Sequence, residues 1–344
     1  MLHEKGKTTI YDVASRAGVA ISTVSRVLNG SHDVSDATRS RVLDAVRELS
    51  FRPDRTAKSL AHKGLRSLCV ALPSFTTPFH TELLKGVRGR LRELDYDLLL
   101  CDLGSERPRE TLLTFLRRGA VDGLLLAGMP IGEDLAAELR SLHAPVVLVG
   151  HEHPEFDAFL WDDVAGAQAA ITYLAGLGHR RIGMIKAHSQ SRLQEGRMEG
   201  YRAALETAGL PYDPDLVQSG TTEKHAGFSE EAGYEATQML LRAAPDVTAV
   251  FACSDVQAFG ALLAAREAGR AVPGDLSIVG YDDIKVSRYV GLSSVDQKML
   301  GVGEQAADVL LERVQNLRKT PPETITVVPE LRARMTSAAP PITT

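Results

Sequence analysis

Four outward side chains on one short stretch carry the most specific chemistry in the chain. Ile21, Ser22, Ser25 and Arg26 share a face of a predicted helix, Ile21–Leu28, whose opposite face holds Val24, Val27 and Leu28. An arginine can donate to both acceptors of a guanine, worth about 1–3 kcal/mol of discrimination against other bases. A serine bonds several bases and specifies little alone, and an isoleucine offers apolar contact, for example to a thymine methyl. Such a set suits a helix that enters a major groove. A second set lies far away: Ser74, Asp255 and Asp282 each follow the end of an apolar strand-like run. In open parallel sheets, ligands bind outside those ends.

The elements that must hold the first set are legible from spacing. Thr9 can cap a helix, with Asp12 three positions on, and Ile10, Val13, Ala14 and Ala17 form its apolar face. Gly18 stops that helix, because glycine readily takes the left-handed conformation. Two short helices joined across Gly18-Val19-Ala20 fit a helix-turn-helix. Asn29-Gly30 makes a turn. Ser35 can cap a third helix ending near Leu49, with Val42, Val46 and Leu49 inward and Arg39, Arg41 and Arg47 outside. Phe51-Arg52-Pro53 breaks the pattern. One more short helix is expected from Asp54 to Ala61, before Gly64.

Charge follows the same division. Residues 1–66 hold 12 Lys+Arg against 7 Asp+Glu, while the remainder of the chain is acidic within an overall net charge of −5. A basic head on an acidic body suits nucleic-acid binding by the head. At 344 residues the chain is long enough for two or three domains, and no apolar run of membrane-spanning length occurs. The absence of a secretory signal, and three scattered cysteines (Cys69, Cys101, Cys253) in apolar contexts, lead to an expectation of buried thiols in a cytoplasmic protein.

From Leu65 the pattern becomes alternating strand and helix. Strands are expected at 67–72, 97–101, 123–126, 146–149, 181–185, 248–252 and 276–279. Helices are expected at 79–94, 109–118, 134–142, 165–175, 194–208, 229–242, 256–268 and 299–317. This alternation predicts parallel sheets covered on both faces, and the number of elements requires two lobes. No glycine-rich phosphate loop follows any strand, which argues against a dinucleotide or nucleoside-triphosphate enzyme.

The stretches TIYDVASRAGVAISTVSRVLNG, VSDATRSRVLDAV and FRPDRTAKSLA resemble the head of the lactose/galactose-repressor (LacI/GalR) family. LPSFTTPFHTELLKGV, WDDVAGA, LGHRRIG, GRMEGYRAAL and DLSIVGYDD extend the resemblance over nearly the whole chain. The resemblance implies an all-α helix-turn-helix head on a two-lobed α/β sensor like a type I periplasmic binding protein. It divides the chain into a DNA-binding domain at 1–52, a hinge helix and linker at 53–64, an effector-binding and dimerisation domain at 65–330, and a C-terminal strand and tail at 331–344. Ile21, Ser22 and Arg26 then face base edges, and Thr9, Tyr11, Ser25, Asn29, Ser35 and Thr38 hold phosphates. Arg55 joins the DNA-binding set from the hinge. Leu60 is the hinge residue that wedges into a minor-groove step, against the plainer alternative of packing on the body.

By the same resemblance Ser74, Phe79, His80, Asp162, Arg197, Phe228, Asp255, Asp282 and Gln297 line an interlobe cleft. Their types suit a polyol, with Asp282 and Arg197 foremost and Phe228 a flat wall for a sugar face. Alternatives stand beside three of them: Asp255 as a helix cap, Phe79 as core, and Asp162 with Asp163 as a helix start. Three departures matter. Ala20 replaces the serine that would cap the recognition helix, a loss of about 0.5–2 kcal/mol. Gly150 stands where relatives often have Asp, with His151 as a substitute contact, and Ser254 stands where Asn is common.

A metal site at His151-Glu152-His153 lacks further ligands, and a hydrolase pairing Ser74, His80 and Asp282 lacks a nucleophile elbow. The expectation is therefore a non-enzymatic, cofactor-free regulator, most simply a repressor. It would bind a near-palindromic operator as a homodimer, without a tetramerising coiled coil, under control of a sugar. A nucleobase or phosphorylated metabolite is the alternative effector, and a sugar-binding protein without a regulatory role the remaining one.

Overall fold

The computed structural model describes residues 8–28, 31, 33–49, 51, 66–104, 106–118, 121–142, 144–188 and 191–341. Two compact units divide the chain, Met1–Leu65 and Arg66–Thr344.

The first unit contains α1 (Ile10–Ala17), α2 (Ile21–Leu28) and α3 (Asp36–Glu48). The Thr9 hydroxyl accepts from the Asp12 amide, and the Asp12 carboxylate accepts from the Thr9 amide at 2.7 Å, a reciprocal cap on α1. Gly18 ends α1 in the left-handed region at φ 63°. The core gathers Val13, Ala14, Ala17, Val24, Val27, Val42, Ala45 and Phe51. Three expectations shift here. Ala45 is buried while Val46 and Leu49 are half-buried, so α3 turns its small alanine toward the core. Ser35 precedes α3 without capping it; its hydroxyl donates to Thr38 Oγ1 at 3.0 Å. Arg39, expected outside, is half-buried and donates to the Ser31 carbonyl at 2.5 Å.

The second unit has two six-stranded sheets. The first lobe holds β1 (Ser67–Leu72), β2 (Asp97–Asp102), β3 (Gly123–Ala127), β4 (Val146–Val149), β5 (Asp157–Trp161) and β11 (Thr324–Val327), ordered β11-β5-β4-β3-β1-β2. All its pairs are parallel. The second lobe holds β6 (Ile182–Ile185), β7 (Val217–Gln218), β8 (Ala249–Ala252), β9 (Ser277–Asp282), β10 (Ser293–Asp296) and β12 (Glu330–Arg332), ordered β12-β10-β9-β8-β6-β7. Only the β10–β12 pair is antiparallel.

Helices cover both sheets: α4 (Pro78–Leu91), α5 (Pro108–Arg118), α6 (Glu133–Arg140), α7 (Asp163–Gly176), α8 (Arg192–Thr207), α9 (Glu230–Ala243), α10 (Asp255–Glu267), α11 (Lys285–Tyr289) and α12 (Met299–Val314). The chain crosses between lobes three times: from β5 to α7, from β10 to α12, and from β11 to β12. The second crossing returns α12 to the first lobe, where Gly303 and Gly86 allow its backbone to touch that of α4. A Cβ at Gly86 would collide with the Leu300 carbonyl.

Every strand and helix expected after Leu65 forms, with ends shifted by a few residues, as do the three expected helices of the head, while the helix expected at 54–61 lies outside the described residues. Short strands β5, β7, β10 and β11 and helix α11 were not expected, whereas β12 stands at the start of the expected C-terminal strand. In β10, Ser293 and Ser294 are buried polar residues whose hydroxyls are bonded, so the strand lacks an apolar signature. Cys69, Cys101 and Cys253 are free and buried. Among the described residues, no helix is long and apolar enough to cross a membrane.

Candidate functional site

In the head, α2 presents Ile21, Ser22 and Arg26 to solvent, with Ser25 half-buried beside them. Tyr11 is exposed at the first turn of α1, after the exposed Thr9. The Thr9 hydroxyl also donates to Asp12 at 2.7 Å, so this side chain orders the helix start that it occupies. These hydrogen bonds from Thr9 lower the Asp12 pKa. Ser35, Thr38 and Arg41 gather at the first turns of α3, with Arg41 Nη2 3.5 Å from Thr38 Oγ1. Hydroxyls and a cation beside a helix N-terminus are compatible with a phosphate. Ala20 begins α2 through its carbonyl alone, which accepts from the Thr23 and Val24 amides at 2.9 and 3.2 Å. Asn29, Arg55 and Leu60 lie outside the described residues.

In the body, the structure brings several cleft candidates together at the hinge. Gln297 Nε2 donates to Asp282 Oδ1 at 2.6 Å, while the Gln297 carbonyl accepts from Trp161 Nε1 at 2.7 Å. Phe79 meets the Trp161 ring edge-on at 6.2 Å and that of His80 at 5.3 Å. Phe79 also packs against the first-lobe core, which fits the alternative reading of it as core. Trp161 ends β5 at one crossover and Gln297 follows β10 at another, which links hinge and lining through one hydrogen bond.

Arg197 is 3% exposed and heavily engaged. Its Nε donates to Asp163 Oδ1 at 2.9 Å, its Nη1 donates to the Cys253 carbonyl, and its guanidinium lies 3.8 Å above the Tyr281 ring centroid. Burial alone would lower the Arg197 pKa, yet Asp163, Tyr281 and Asp282 carry it above its ordinary value. Tyr281 also donates to Asp163 Oδ1 at 3.2 Å. Asp282 is half-buried at the end of β9 and adopts φ 116°. Burial raises its carboxyl pKa, against Arg197, Gln297 and the Asp255 amide. Strained backbone of this kind clusters at ligand clamps.

Other candidates divide. Ser254, not Asp255, caps α10, accepting from the Gln257 amide at 3.3 Å. Asp255 is fully buried and accepts from the Ile284 amide at 2.9 Å and from Ser287 and Ser294 hydroxyls at 2.5 Å each. Burial and the neighbouring Asp282 raise its pKa well above the ordinary carboxylate range. Both its oxygens are occupied by protein donors, so Asp255 fastens the segment after β9 instead of facing the cleft. Asp162 caps α7, accepting from the Ala165 amide at 2.9 Å. Ser74 bonds Thr76 at 2.8 Å, and Thr77 Oγ1 lies 2.6 Å from His80 Nδ1. Burial pushes His80 down to about 4, so its imidazole is neutral at neutral pH. Phe228 is half-buried before α9.

The loop after β4 contributes a link between lobes. Glu152 accepts from Arg192 Nη1, at the start of α8, at 2.8 Å. Burial and Arg192 lower the His151 pKa. His153 instead packs on Phe156, with ring centroids 5.4 Å apart. Gly150 adopts φ 84° near Trp161. Trp161, Asp163 and Tyr281 are site residues that residue type did not single out. Trp161, the only tryptophan in the chain, was the available signal.

The model of the lacI family of bacterial regulatory proteins matches residues 9–54, and that of a periplasmic binding protein-like domain matches residues 171–337. HTH-type transcriptional regulator DegA of Bacillus subtilis (strain 168) is 35% identical over 307 residues, covering 87% of this chain and 89% of DegA. A solved complex of the transcriptional regulator CelR with cellobiose is 32% identical, with TM-score 0.68 and coverage of 96% of this chain and 99% of that one. The lac repressor dimer bound to operator and the anti-inducer ONPF is 26% identical, with TM-score 0.79 and the same coverage. With a helix-turn-helix head and a type I periplasmic-binding-protein-like, effector-binding body, the chain belongs to the lacI family of bacterial transcriptional regulators.

Proposed function

We propose that this regulator is a repressor that binds a near-palindromic operator as a homodimer and releases or tightens on it when a sugar fills the interlobe cleft. Ile21, Ser22 and Arg26 read bases; Thr9, Tyr11, Ser25, Asn29, Ser35 and Thr38 hold phosphates, Arg55 adds a hinge contact, and Leu60 wedges the minor groove. Two-fold symmetry of the protein imposes two-fold symmetry on the site. A candidate surface for the second copy includes the exposed Val286, Val290 and 78%-exposed Tyr289 of α11 and its C-terminal end, and the exposed Met335, whose amide donates to the Gly291 carbonyl at 2.9 Å.

The observation that carries the effector reading is Asp282, which acts on Arg197 and is bonded to Gln297, whose carbonyl in turn holds Trp161 against the ring of Phe79. Carboxylate and guanidinium exchange paired hydrogen bonds with vicinal hydroxyls, and flat rings cover a sugar face. Sugars occupy relatives of this body: cellobiose in CelR and ribose in a regulator from Enterococcus faecium. A thermal-shift panel of ribose, glucose, cellobiose, maltose, glucose 6-phosphate, adenine and hypoxanthine tests the reading, since a bound ligand raises the melting temperature. A shift by nucleobases alone, or by the phosphate ester alone, would replace the sugar. Non-enzymatic, cofactor-free action in the cytoplasm completes the proposal.

A further inference from the structure

The edge strand β7 leads into a loop that is built more firmly than its exposure suggests. After β7 the chain passes Gly220, where a Cβ would collide with the Ala232 backbone. Glu235, on α9, then takes four hydrogen bonds: from the Thr221 amide and hydroxyl at 2.6 and 2.8 Å, and from the Thr222 amide and hydroxyl at 3.0 and 2.7 Å. These donors pull the Glu235 carboxyl down to about 2. At the other end, the buried Gln257 donates to the Gly227 carbonyl at 2.8 Å, and Gly227 packs on the backbone of Ala187 and His188. Between these anchors His225 and Ala226 both adopt left-handed conformations, φ 50° and 55°. For residues with a Cβ such geometry persists only where the surroundings enforce it.

The loop leaves the carboxyl end of a parallel strand, so it borders the cleft. His225 is exposed, and its imidazole lies near enough to His80, on the opposite lobe, to interact electrostatically. Thr77 donates to the Ser74 carbonyl at 3.4 Å, so its oxygen accepts from His80 Nδ1, leaving Nε2 as an acceptor. The Asp102 carboxylate also acts on His80. Lys224 is turned to Glu231 at 3.0 Å. A neutral imidazole acceptor with a carboxylate in range favours a hydroxyl donor over an anion.

We propose that residues 221–227 form a fixed lip of the effector cleft, and that His225 is a specificity residue which, with His80, receives a neutral hydroxylated outer part of the effector, such as the second ring of a disaccharide. Glu235 is the positioning residue for that lip. This inference rests on the sugar reading for the ligand and stands independently of it for the lip.

Two measurements on the full chain test it. In the first, trypsin cleavage after Lys224 is compared between the native protein, Glu235→Ala and Glu235→Gln. The native loop should resist, Glu235→Ala should be cut roughly tenfold faster, as expected when a local opening equilibrium shifts, and Glu235→Gln should recover part of the protection. Equal cleavage in all three overturns the lip. In the second, titration calorimetry with ribose, glucose, cellobiose, maltose and glucose 6-phosphate compares native protein with His225→Ala. Disaccharide affinity should fall about tenfold, the scale of a lost ligand hydrogen bond, while monosaccharide affinity stays within about twofold. A uniform loss, no loss, or preference for the phosphate ester overturns the assignment of His225. If no sugar binds the native chain, the sugar reading and the ligand of the lip fall together, and the cleavage result alone decides the lip.

Discussion

The head and the body place their functional side chains in opposite ways. In the head, Ile21, Ser22 and Arg26 stand in solvent on one helix face, over a core of small residues such as Val13, Ala14, Val24 and Val27. In the body, Arg197, Asp255 and Gln297 are buried and bonded to their neighbours. A DNA-reading surface must be free to meet its partner, and the scaffold beneath it need only be stiff. A ligand cleft between lobes must keep buried charge compensated before the ligand arrives, because an unpaired buried charge is costly. Arg197 and Gln297, proposed to line the cleft, therefore also hold the body together, as Asp255 does away from the cleft. Substitutions of the outward side chains of α2 should alter recognition without touching stability, and those of the buried polar residues of the body should disturb both.

The sharpest test is Arg197→Ala, which strands Asp163 inside the second lobe. It should destabilise the protein by about 3–5 kcal/mol, the scale for breaking one side of a buried pair, and calorimetric melting would reveal it. An unchanged melt would erase the contrast. Next in size, Arg26→Ala should lose about 1–3 kcal/mol of preference between operator and non-operator DNA. Its melting temperature should not move, and its weak, salt-dependent binding should persist in competition binding assays. Loss on all sequences alike would deny Arg26 a base-reading role.

Ala20→Ser offers the head the cap it lacks. The gain should be about 0.5–2 kcal/mol, seen as slower hydrogen exchange of the α2 amides. The smallest effect belongs to the interlobe pair of Glu152 and Arg192, whose side chains are largely exposed. A double-mutant cycle on Glu152→Gln and Arg192→Gln should return a coupling of about 0–1 kcal/mol, weakened by salt. A larger coupling would mean that lobe closure depends on this rim contact more than on the hinge.

How far the sequence reaches differs between the regions for the same reason. Spacing alone marks Thr9, Gly18 and the two faces of α2, because a helix cap and a 3.6-residue period are local properties. It also marks most strands of the body, whose apolar runs are buried on both faces. Asp255 shows the limit: its position after a strand suggests a cleft residue or a cap. Only packing reveals that Ser254 caps, while Asp255 collects donors from Ile284, Ser287 and Ser294. The serine-rich β10 hides for a related reason, since its hydroxyls are satisfied by residues distant in sequence.

The amino-acid sequence by itself determined the helix-turn-helix, the alternation of strand and helix, the basic head and, through its resemblance, the family. The tertiary structure alone decided which polar side chains are already committed. It set Trp161 against Gln297 across the hinge, seated Arg197 on Tyr281 and Asp163, and pinned the loop of His225 through Glu235. Periodicity and capping are written in neighbouring residues. The compensation of buried charge is not, because its partners come from whichever distant segments the fold brings within hydrogen-bonding distance.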